Sequence, residues 1–173
     1  MAKGSDKSAN RKSDIISAAI EVFAEIGYYR ATTAQVAERA GISQPYVFRF
    51  FASKEALMVA ALSVSWERIL RSFRRVTETS TADTLEADLI QAYEDILEAH
   101  QNETLLQMQA QTIREEAVRE VMRNGFVEVN RLVRAAFQDA GMEQPGQRAF
   151  LFLARGMLCN IAMSLGLPEL IER

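Results

Sequence analysis

The sequence predicts an all-helical fold of about eight helices. No segment of the 173 residues alternates apolar and polar positions over the length of a β-strand. Apolar residues instead recur every three or four positions, the spacing that keeps them on one face of a helix. Only three prolines and eight glycines interrupt the chain, so the helices are expected to be long.

The starts and ends of the helices can be assigned from local signals. The expected helices cover residues 13–26, 32–40, 44–50, 53–76, 85–99, 101–112, 115–140 and 147–165. Thr32 and Gln35 form a capping box at the start of the second helix. Pro45 lies in the first turn of the third helix, where its missing amide costs little. Ser43 and Ser53 are expected to cap the third and fourth helices.

Charge is distributed unevenly along the chain. Residues 1–54 hold eight basic and five acidic side chains, a net charge of +3, whereas residues 55–173 hold twelve and eighteen, a net charge of −6. With so few residues, chance is one explanation. The other is a cationic N-terminal module that binds a polyanion. Residues 1–12 are expected to form a flexible basic arm, which is either disordered or lies in a groove of that polyanion.

Composition excludes several classes of protein. Apolar residues make up 49% and charged residues 25% of the chain, as in soluble folded domains. No stretch approaches the roughly 20 apolar residues of a membrane span, and the polar N-terminus lacks the apolar region of a secretory signal. With one cysteine and one histidine, neither an internal disulfide nor a zinc site is expected. We therefore expect a cytoplasmic protein without metal or cofactor.

The segment from Thr32 to Leu57 has the pattern of a helix-turn-helix motif. Its two short helices are joined by Gly41-Ile42-Ser43, where glycine permits a positive φ and Ile42 fills the corner. Ala37 and Ala40 are small enough for the helices to cross closely. A semi-polar outer face suits a helix that enters the major groove, where glutamine can pair with adenine. We expect an outer face of Gln44, Tyr46 and Arg49, and an inner face of Val47, Phe48 and Phe51.

Residues in and around this motif resemble a known family. They are Gly27-Tyr28-Tyr29-Arg30-Ala31-Thr32-Thr33, Val36-Ala37, Ala40-Gly41-Ile42-Ser43, Val47-Phe48-Arg49-Phe50-Phe51 and Ser53-Lys54-Glu55-Ala56-Leu57. In spacing, turn and start of the fourth helix, they resemble the TetR family of bacterial transcriptional regulators over about residues 13–57. The remaining residues match that family only in the number and length of their helices.

The resemblance implies contacts with double-stranded DNA at six positions. Gln44, Pro45 and Tyr46 would contact base edges, Thr33 and Lys54 would contact phosphates, and Arg49 would contact the DNA backbone. At Lys54 the helix dipole and the ammonium both favour a phosphate. The alternatives are a solvated lysine at position 54 and an ordinary surface aromatic at position 46.

Aromatic residues around the motif differ from the family pattern. Phe48 stands where the family often has a tyrosine whose hydroxyl contacts a phosphate, and Phe50 replaces a commoner tyrosine or histidine. Because phenylalanine lacks that hydroxyl, we expect Phe48 to pack inward. Of the two tyrosines before the motif, we expect Tyr28 in the core and Tyr29 nearer the DNA backbone.

The last long helix, residues 147–165, predicts self-association. It has almost no polar face, and a helix that is apolar all round is buried on all sides. One side can pack on its own domain and the other on a second copy, with residues 115–140 contributing to a four-helix interface. A homodimer would read a palindromic operator. The alternative is a helix buried within one monomer core.

Helices four to seven can enclose a ligand cavity. Candidate lining residues are Trp66, Phe73, Tyr93, Met108, Thr112, Phe126, Asn130, Phe152 and Asn160, with Gln109 as a further polar candidate. The alternative is that these large residues simply fill the core. His100 is expected to cap a helix end rather than bind a ligand, and Cys159 is not expected to act as a redox sensor.

These patterns predict three regions: a flexible arm at 1–12, a helix-turn-helix domain at 13–52 and a helical ligand-binding and dimerisation domain at 53–173. The expected function is a sequence-specific DNA-binding transcriptional regulator, a repressor that a small hydrophobic or amphipathic effector releases from its operator. The first alternative is a constitutive dimeric regulator without an effector. An enzyme or carrier is disfavoured, because the sequence has no nucleophile elbow, acid–base pair, metal cluster or phosphate loop.

Overall fold

The computed structural model describes residues 3–171, with side chains from residue 9 onward. Its helices are α1 (Lys3–Ile26), α2 (Thr33–Arg39), α3 (Gln44–Phe48), α4 (Lys54–Thr79), α5 (Leu85–Ala99), α6 (Gln101–Ala110), α7 (Glu116–Asp139) and α8 (Pro145–Leu165), followed by a 3-10 turn (Pro168–Leu170). The described residues contain no β-strand. The predicted all-helical fold, with an N-terminal helix-turn-helix domain and a larger helical domain after it, is confirmed.

The first helix begins ten residues before the predicted start at Ser13. From Lys3 onward, the segment predicted to be a flexible arm is the first part of α1; Met1 and Ala2 lie outside the described residues. An ion pair between Arg11 and Asp14 at 3.6 Å spans the predicted boundary. Nothing in the segment breaks a helix as a proline would, so Ser13, the predicted first residue, lies inside the helix.

Helices α1, α2 and α3 form the small N-terminal domain. Each contributes a side chain without exposed surface to its core: Phe23, Val36 and Val47. Arg39, at the end of α2, donates hydrogen bonds to the carboxylates of Glu21 and Glu25 on α1, at 2.8 and 2.7 Å. The bond from Arg39 lowers the pKa of Glu25. Both apolar packing and ion pairing therefore hold α2 on α1.

Helices α4 to α8 form the larger domain, in which α4 packs along α7. A Cβ at Gly125 of α7 would overlap the indole of Trp66 on α4, so only glycine leaves room for that ring. The ring of Phe152 on α8 meets Phe73 and Phe137 edge to face, with centroids 5.5 and 6.4 Å apart. These aromatic contacts join α4, α7 and α8 in one core.

Helix α6 lies between the two domains. On its α4 side, the buried carboxylate of Glu103 accepts hydrogen bonds from Arg68 at 3.0 and 3.1 Å. On its α1 side, Gln109 Nε2 donates to the carbonyl of Ala24 at 2.9 Å. The N-terminal domain is therefore attached to the larger one through α6 as well as through the start of α4.

Helix α8 is long and apolar. An 18-residue window of it has a mean hydropathy of 1.3, so by length and composition alone it could cross a membrane, and the expectation that no segment approaches that length was wrong. A helix at a core or an interface has the same composition. Arg148 and Arg155 pair with Glu86 and Glu94 of α5 at 2.6 and 2.9 Å, which fixes α8 on the helical domain.

Much of α8 lies on the surface of the single chain. Only 28% of its apolar window is buried. Its exposed large apolar residues are Phe150, Leu151, Leu158, Ile161 and Leu165. Burial of this helix within one monomer core, the alternative considered from the sequence, is therefore wrong, and an apolar face remains uncovered.

Candidate nucleic-acid interface and ligand cavity

The corner between α2 and α3 is a Schellman motif. Gly41 has φ +65°, and its amide donates to the carbonyl of Glu38 at 3.0 Å. The amide of Ile42 donates to the carbonyl of Ala37 at 2.9 Å. A Cβ at Gly41 would meet nothing within 4 Å, so glycine is required here by backbone conformation and not by lack of space.

The start of α2 is held by the predicted capping box. Thr32 Oγ1 accepts from the Gln35 amide at 3.2 Å, and Gln35 Oε1 accepts from the Thr32 amide at 2.9 Å. Ser43 precedes α3 with extended backbone but makes no side-chain cap bond, contrary to the expectation. Instead, Gln44 Nε2 donates to Thr33 Oγ1 at 2.8 Å, which brings two of the predicted DNA-binding side chains together at the start of both helices.

The outer face of α3 carries most of the predicted DNA-contact residues. Gln44, Pro45 and Arg49 are exposed. The ring of Tyr46 is half-buried: the Arg49 guanidinium lies 5.2 Å from its centroid, and Phe50 meets it edge to face at 5.4 Å. Tyr46 is therefore held between two neighbours on this face, with its rotation restricted.

Phe48 does not pack inward as predicted. Its side chain is 48% exposed, whereas Val47 and Phe51 are buried. Val47 occupies the inner face of α3, which has only five residues, and Phe51, three residues after the end of the helix, is buried in the same core. Phe48 therefore belongs to the exposed face of α3, and it is a candidate contact residue that sequence reasoning missed. The uncovered apolar ring on a short helix is the signal that identifies it.

Lys54 starts α4, but its ammonium is directed at the polypeptide. Nζ donates to the carbonyls of Tyr28 and Ala31 at 2.8 and 3.1 Å and lies 3.4 Å from the carbonyl of Tyr29. It also lies 4.5 Å from the centre of the Tyr28 ring. Three acceptors match the three N–H donors of an ammonium, so Lys54 fixes the segment after α1 against the start of α4. It is not the solvated lysine considered as an alternative.

The two tyrosines after α1 have different environments. Tyr28 is 6% exposed, as predicted, and burial raises its pKa to about 12. Tyr29 is 63% exposed, and its hydroxyl donates to Glu115, just before α7, at 3.3 Å. Tyr29 thus contacts the larger domain, and its predicted place near the DNA backbone stays a prediction.

The larger domain contains an apolar cavity between α4, α5, α6, α7 and α8. Its volume is about 40 Å³, and it opens toward solvent. Six of the nine predicted lining residues come together there: Trp66, Phe73, Tyr93, Phe126, Phe152 and Asn160. The cavity holds about three water molecules by volume, so a larger ligand requires the surrounding helices to move.

Three predicted lining residues lie elsewhere. Asn130 is exposed on α7, where Phe126 and Val129 take the inward positions. Thr112 lies in the turn after α6, with its hydroxyl on the carbonyl of Gln109, and Met108 also lies off the cavity wall. On α6 the wall is instead formed by Gln107 and Gln111, which the sequence analysis did not select. Their spacing of four residues on one helix is the signal that pairs them.

Most polar groups on the cavity wall already form hydrogen bonds within the protein. The Tyr93 hydroxyl donates to Asn160 Oδ1 at 2.7 Å, and Gln107 Nε2 donates to Ser65 Oγ at 2.9 Å. Burial raises the pKa of Tyr93 to about 12, so its phenol stays protonated at neutral pH. Of the wall residues that the structure describes, none is charged.

His100 and Cys159 have structural positions. His100 lies at the junction of α5 and α6, and its backbone amide donates to the carbonyl of Ile96 at 2.8 Å. Cys159 is buried on α8, and burial raises the pKa of its thiol, which disfavours the reactive thiolate. Within residues 9–171, no three side chains are grouped as metal ligands.

Residues 15–61 match the sequence model of the family described as bacterial regulatory proteins, tetR family. The matched segment begins in α1, contains the whole Schellman corner and α3, and ends in α4. Over this segment, the chain is similar to the N-terminal region of the tetR family.

Two curated relatives with at least 30% identity each match less than half of this chain. The HTH-type transcriptional activator FasR of Mycolicibacterium smegmatis is 34% identical over 71 residues, which is 41% of this chain. The HTH-type transcriptional regulator RutR of Escherichia coli K12 is 37% identical over 67 residues, which is 37% of this chain. Each match spans about a third of the relative's own length, 32% in both cases.

The similarity to solved structures extends over both domains. The transcriptional regulator FadR from Bacillus subtilis, in complex with stearoyl-CoA, has a TM-score of 0.76 with this chain. The superposition covers 89% of this chain and 87% of FadR at 18% sequence identity. This similarity shows the fold of the larger domain, which lies largely beyond the segment that matches the family model.

Proposed function

We propose that this chain is a DNA-binding transcriptional regulator that places α3 in the major groove. The observation that carries the proposal is the exposed, semi-polar face of α3, which is fixed by the Schellman corner before it. A five-residue helix has little stability of its own, so its position depends on that corner and on the buried Val47. The match of residues 15–61 to the tetR-family model supports the same function.

The proposed contacts divide into base and backbone contacts. Gln44 and Pro45, exposed at the start of α3, reach base edges, where glutamine can bond to adenine and proline can meet a thymine methyl. Tyr46 adds a base or sugar contact. Thr33 and Arg49 contact phosphates, and these contacts set orientation rather than sequence preference. Phe48 is a further apolar contact on the same face.

Lys54 has a different proposed role. The sequence analysis predicted a phosphate contact, yet its three N–H donors face the carbonyls of Tyr28, Tyr29 and Ala31. A phosphate would have to replace these acceptors. We therefore propose that Lys54 positions the N-terminal domain on α4 and does not add to the number of phosphates neutralised.

The proposed active form is a homodimer. α8 exposes five large apolar residues along its length, and Val127 on the neighbouring α7 is 62% exposed. A second copy of this face would cover both helices in a four-helix interface. Dimerisation also supplies a second α3, so that the protein reads a palindromic operator in two successive major grooves.

We propose that a small hydrophobic or amphipathic effector enters the cavity and releases the repressor from its operator in the cytoplasm. The apolar wall supports this proposal, as does FadR, a structural neighbour in complex with stearoyl-CoA. Because the cavity is only about 40 Å³, binding would have to move the helices around it. FasR, in contrast, is named an activator.

Helix α6 offers a route from the cavity to the N-terminal domain. Gln107 and Gln111 line the cavity, while Gln109 between them donates to the carbonyl of Ala24 in the last turn of α1. A ligand that displaces α6 would therefore also displace α1. α4 offers a second route, since it lines the cavity with Trp66 and begins at the N-terminal domain. The effector needs only a different affinity for the two dimer states.

The small cavity also favours a second candidate, a constitutive dimeric regulator without an effector. In that case the wall residues simply complete the core. A thermal-shift screen separates the two candidates, because a ligand that binds only the folded state raises the melting temperature.

Selection from random duplexes tests the DNA-binding function. The full-length dimer is incubated with random double-stranded oligonucleotides at low salt, and bound duplexes are amplified and sequenced. We expect a palindromic motif with half-sites about one helical turn apart. Enrichment of no sequence over the input library would contradict the proposal.

A further inference from the structure

Trp66, which lines the cavity, carries a buried hydrogen-bond donor without an acceptor. Trp66 is 6% exposed, and its Nε1 has no hydrogen-bond partner among the described residues. Its ring packs against Gly125 and meets the ring of Phe126, with the two centroids 4.9 Å apart. An indole N–H that is buried normally finds a partner, since leaving it unpaired costs free energy.

The same wall has no group to balance a charged ligand. Its polar side chains are Tyr93, Gln107, Gln111 and Asn160, which are all neutral. The Arg155 guanidinium lies beside a smaller adjoining space, where its charge is balanced by Glu94 at 2.9 Å although its Nε is buried without a partner. A carboxylate in the cavity would be buried without a counter-ion, which is strongly unfavourable.

From these two observations, we infer that the effector is an uncharged, apolar compound with a carbonyl or similar acceptor, which binds Trp66 Nε1. The apolar part fills the space among the rings of Phe73, Phe126 and Phe152. Ketones, esters, lactones and thioesters belong to this class, whereas free carboxylic acids in their ionised form do not. This inference rests on the proposed effector function and specifies its chemistry.

Three compounds of nearly equal shape test the inference. Acetophenone carries a neutral carbonyl, α-methylstyrene replaces that oxygen with a methylene, and benzoate replaces the methyl ketone with a carboxylate. We expect acetophenone to bind about tenfold more tightly than α-methylstyrene, because it satisfies a buried donor. Benzoate should bind more weakly than both. Titration calorimetry on the full-length dimer measures the three affinities.

The indole signal shows whether the contact is made at Trp66. The chain has a single tryptophan, so its ¹H–¹⁵N spectrum holds one indole N–H peak. Acetophenone should move the proton of that peak downfield, as hydrogen bonding does, and further than α-methylstyrene, which has the same aromatic ring. This measurement needs no substitution, so it stands even where a variant fails to fold.

Two variants complete the design. Trp66→Phe removes the N–H and should abolish the preference for acetophenone over α-methylstyrene. Phe126→Leu changes the same wall but keeps the indole, and it should retain the preference. Equal affinities in the wild-type protein, tighter binding of benzoate, or no binding of acetophenone would overturn the inference. Duplex binding by the same samples without ligand is measured separately, so failure here is distinguishable from failure of the DNA-binding proposal.

Discussion

Gln109 on α6 donates a hydrogen bond of 2.9 Å to the carbonyl of Ala24 in the last turn of α1. That carbonyl is one of the four that a helix leaves without an intrahelical partner at its C-terminus. The other amide atom, Gln109 Oε1, is buried without a partner. A single side chain of the larger domain therefore completes the end of a helix in the N-terminal domain.

We expect Gln109→Leu to weaken the connection between the domains. The change removes one hydrogen bond and leaves a carbonyl of α1 unpaired, so the free energy of unfolding should fall by about 1 kcal/mol. DNA affinity should change by about fivefold or more, although residue 109 is not on the α3 face. Denaturant titration and fluorescence anisotropy measure the two effects. Gln101→Leu, an exposed change on the same helix, should alter neither quantity.

Lys54→Met distinguishes the structural role of the ammonium from a phosphate contact. The three carbonyl bonds predict a lower melting temperature and an unchanged dependence of log affinity on log salt concentration. Arg49→Met removes a proposed backbone contact and should reduce that slope by about one. A reduction of about one for Lys54→Met as well would restore the phosphate contact predicted from the sequence.

Leu158→Glu should convert the proposed dimer to monomers. Leu158 is 41% exposed in the middle of the apolar face of α8, where two copies would bury two unpaired carboxylates. Sedimentation velocity should report the mass of one 19.4 kDa chain for the variant and twice that mass for the wild type. Ala87→Glu, on an exposed position of α5, is the control and should remain dimeric. A wild-type protein that sediments as a monomer at micromolar concentration would rule out the proposed interface.

Gly41→Ala should lower the free energy of unfolding by about 1–2 kcal/mol, since a side chain at φ +65° is strained even where space is open. Gly41→Asn should cost less, because asparagine tolerates this conformation better. Gly146→Ala provides the matched control: it lies in the first turn of α8, and its Cβ would meet only Arg134 at 3.8 Å. Thermal unfolding checks all three, and an equal effect at positions 41 and 146 would contradict the conformational explanation.

The sequence was most informative where structure is local. The capping box of Thr32 and Gln35 and the corner at Gly41 depend on residues within five positions of one another, so their pattern is visible in the chain. Buried apolar stripes on the long helices were equally clear, which is why six residues of the cavity wall could be named.

Other features depend on contacts that the sequence does not display. Lys54 binds carbonyls 23 to 26 residues away, and no local pattern pairs them. Phe48 was misplaced because a five-residue helix gives too few positions to define its faces. On α6 polar and apolar residues alternate without a clear stripe, so Met108 was chosen where Gln107 lies on the wall. The start of α1 was assigned too late because a serine that could cap a helix also tolerates its interior.

The most direct test of the DNA-binding proposal is an anisotropy titration of the selected operator at low and physiological salt. The wild-type dimer and its Gln44→Ala variant are each titrated with the operator and with a shuffled duplex of equal length. We expect the wild type to prefer the operator by at least about a thousandfold, and Gln44→Ala to reduce that preference by about 5- to 150-fold while binding the shuffled duplex as before. A wild-type dimer that binds neither duplex at low salt would contradict the proposal that α3 faces the major groove.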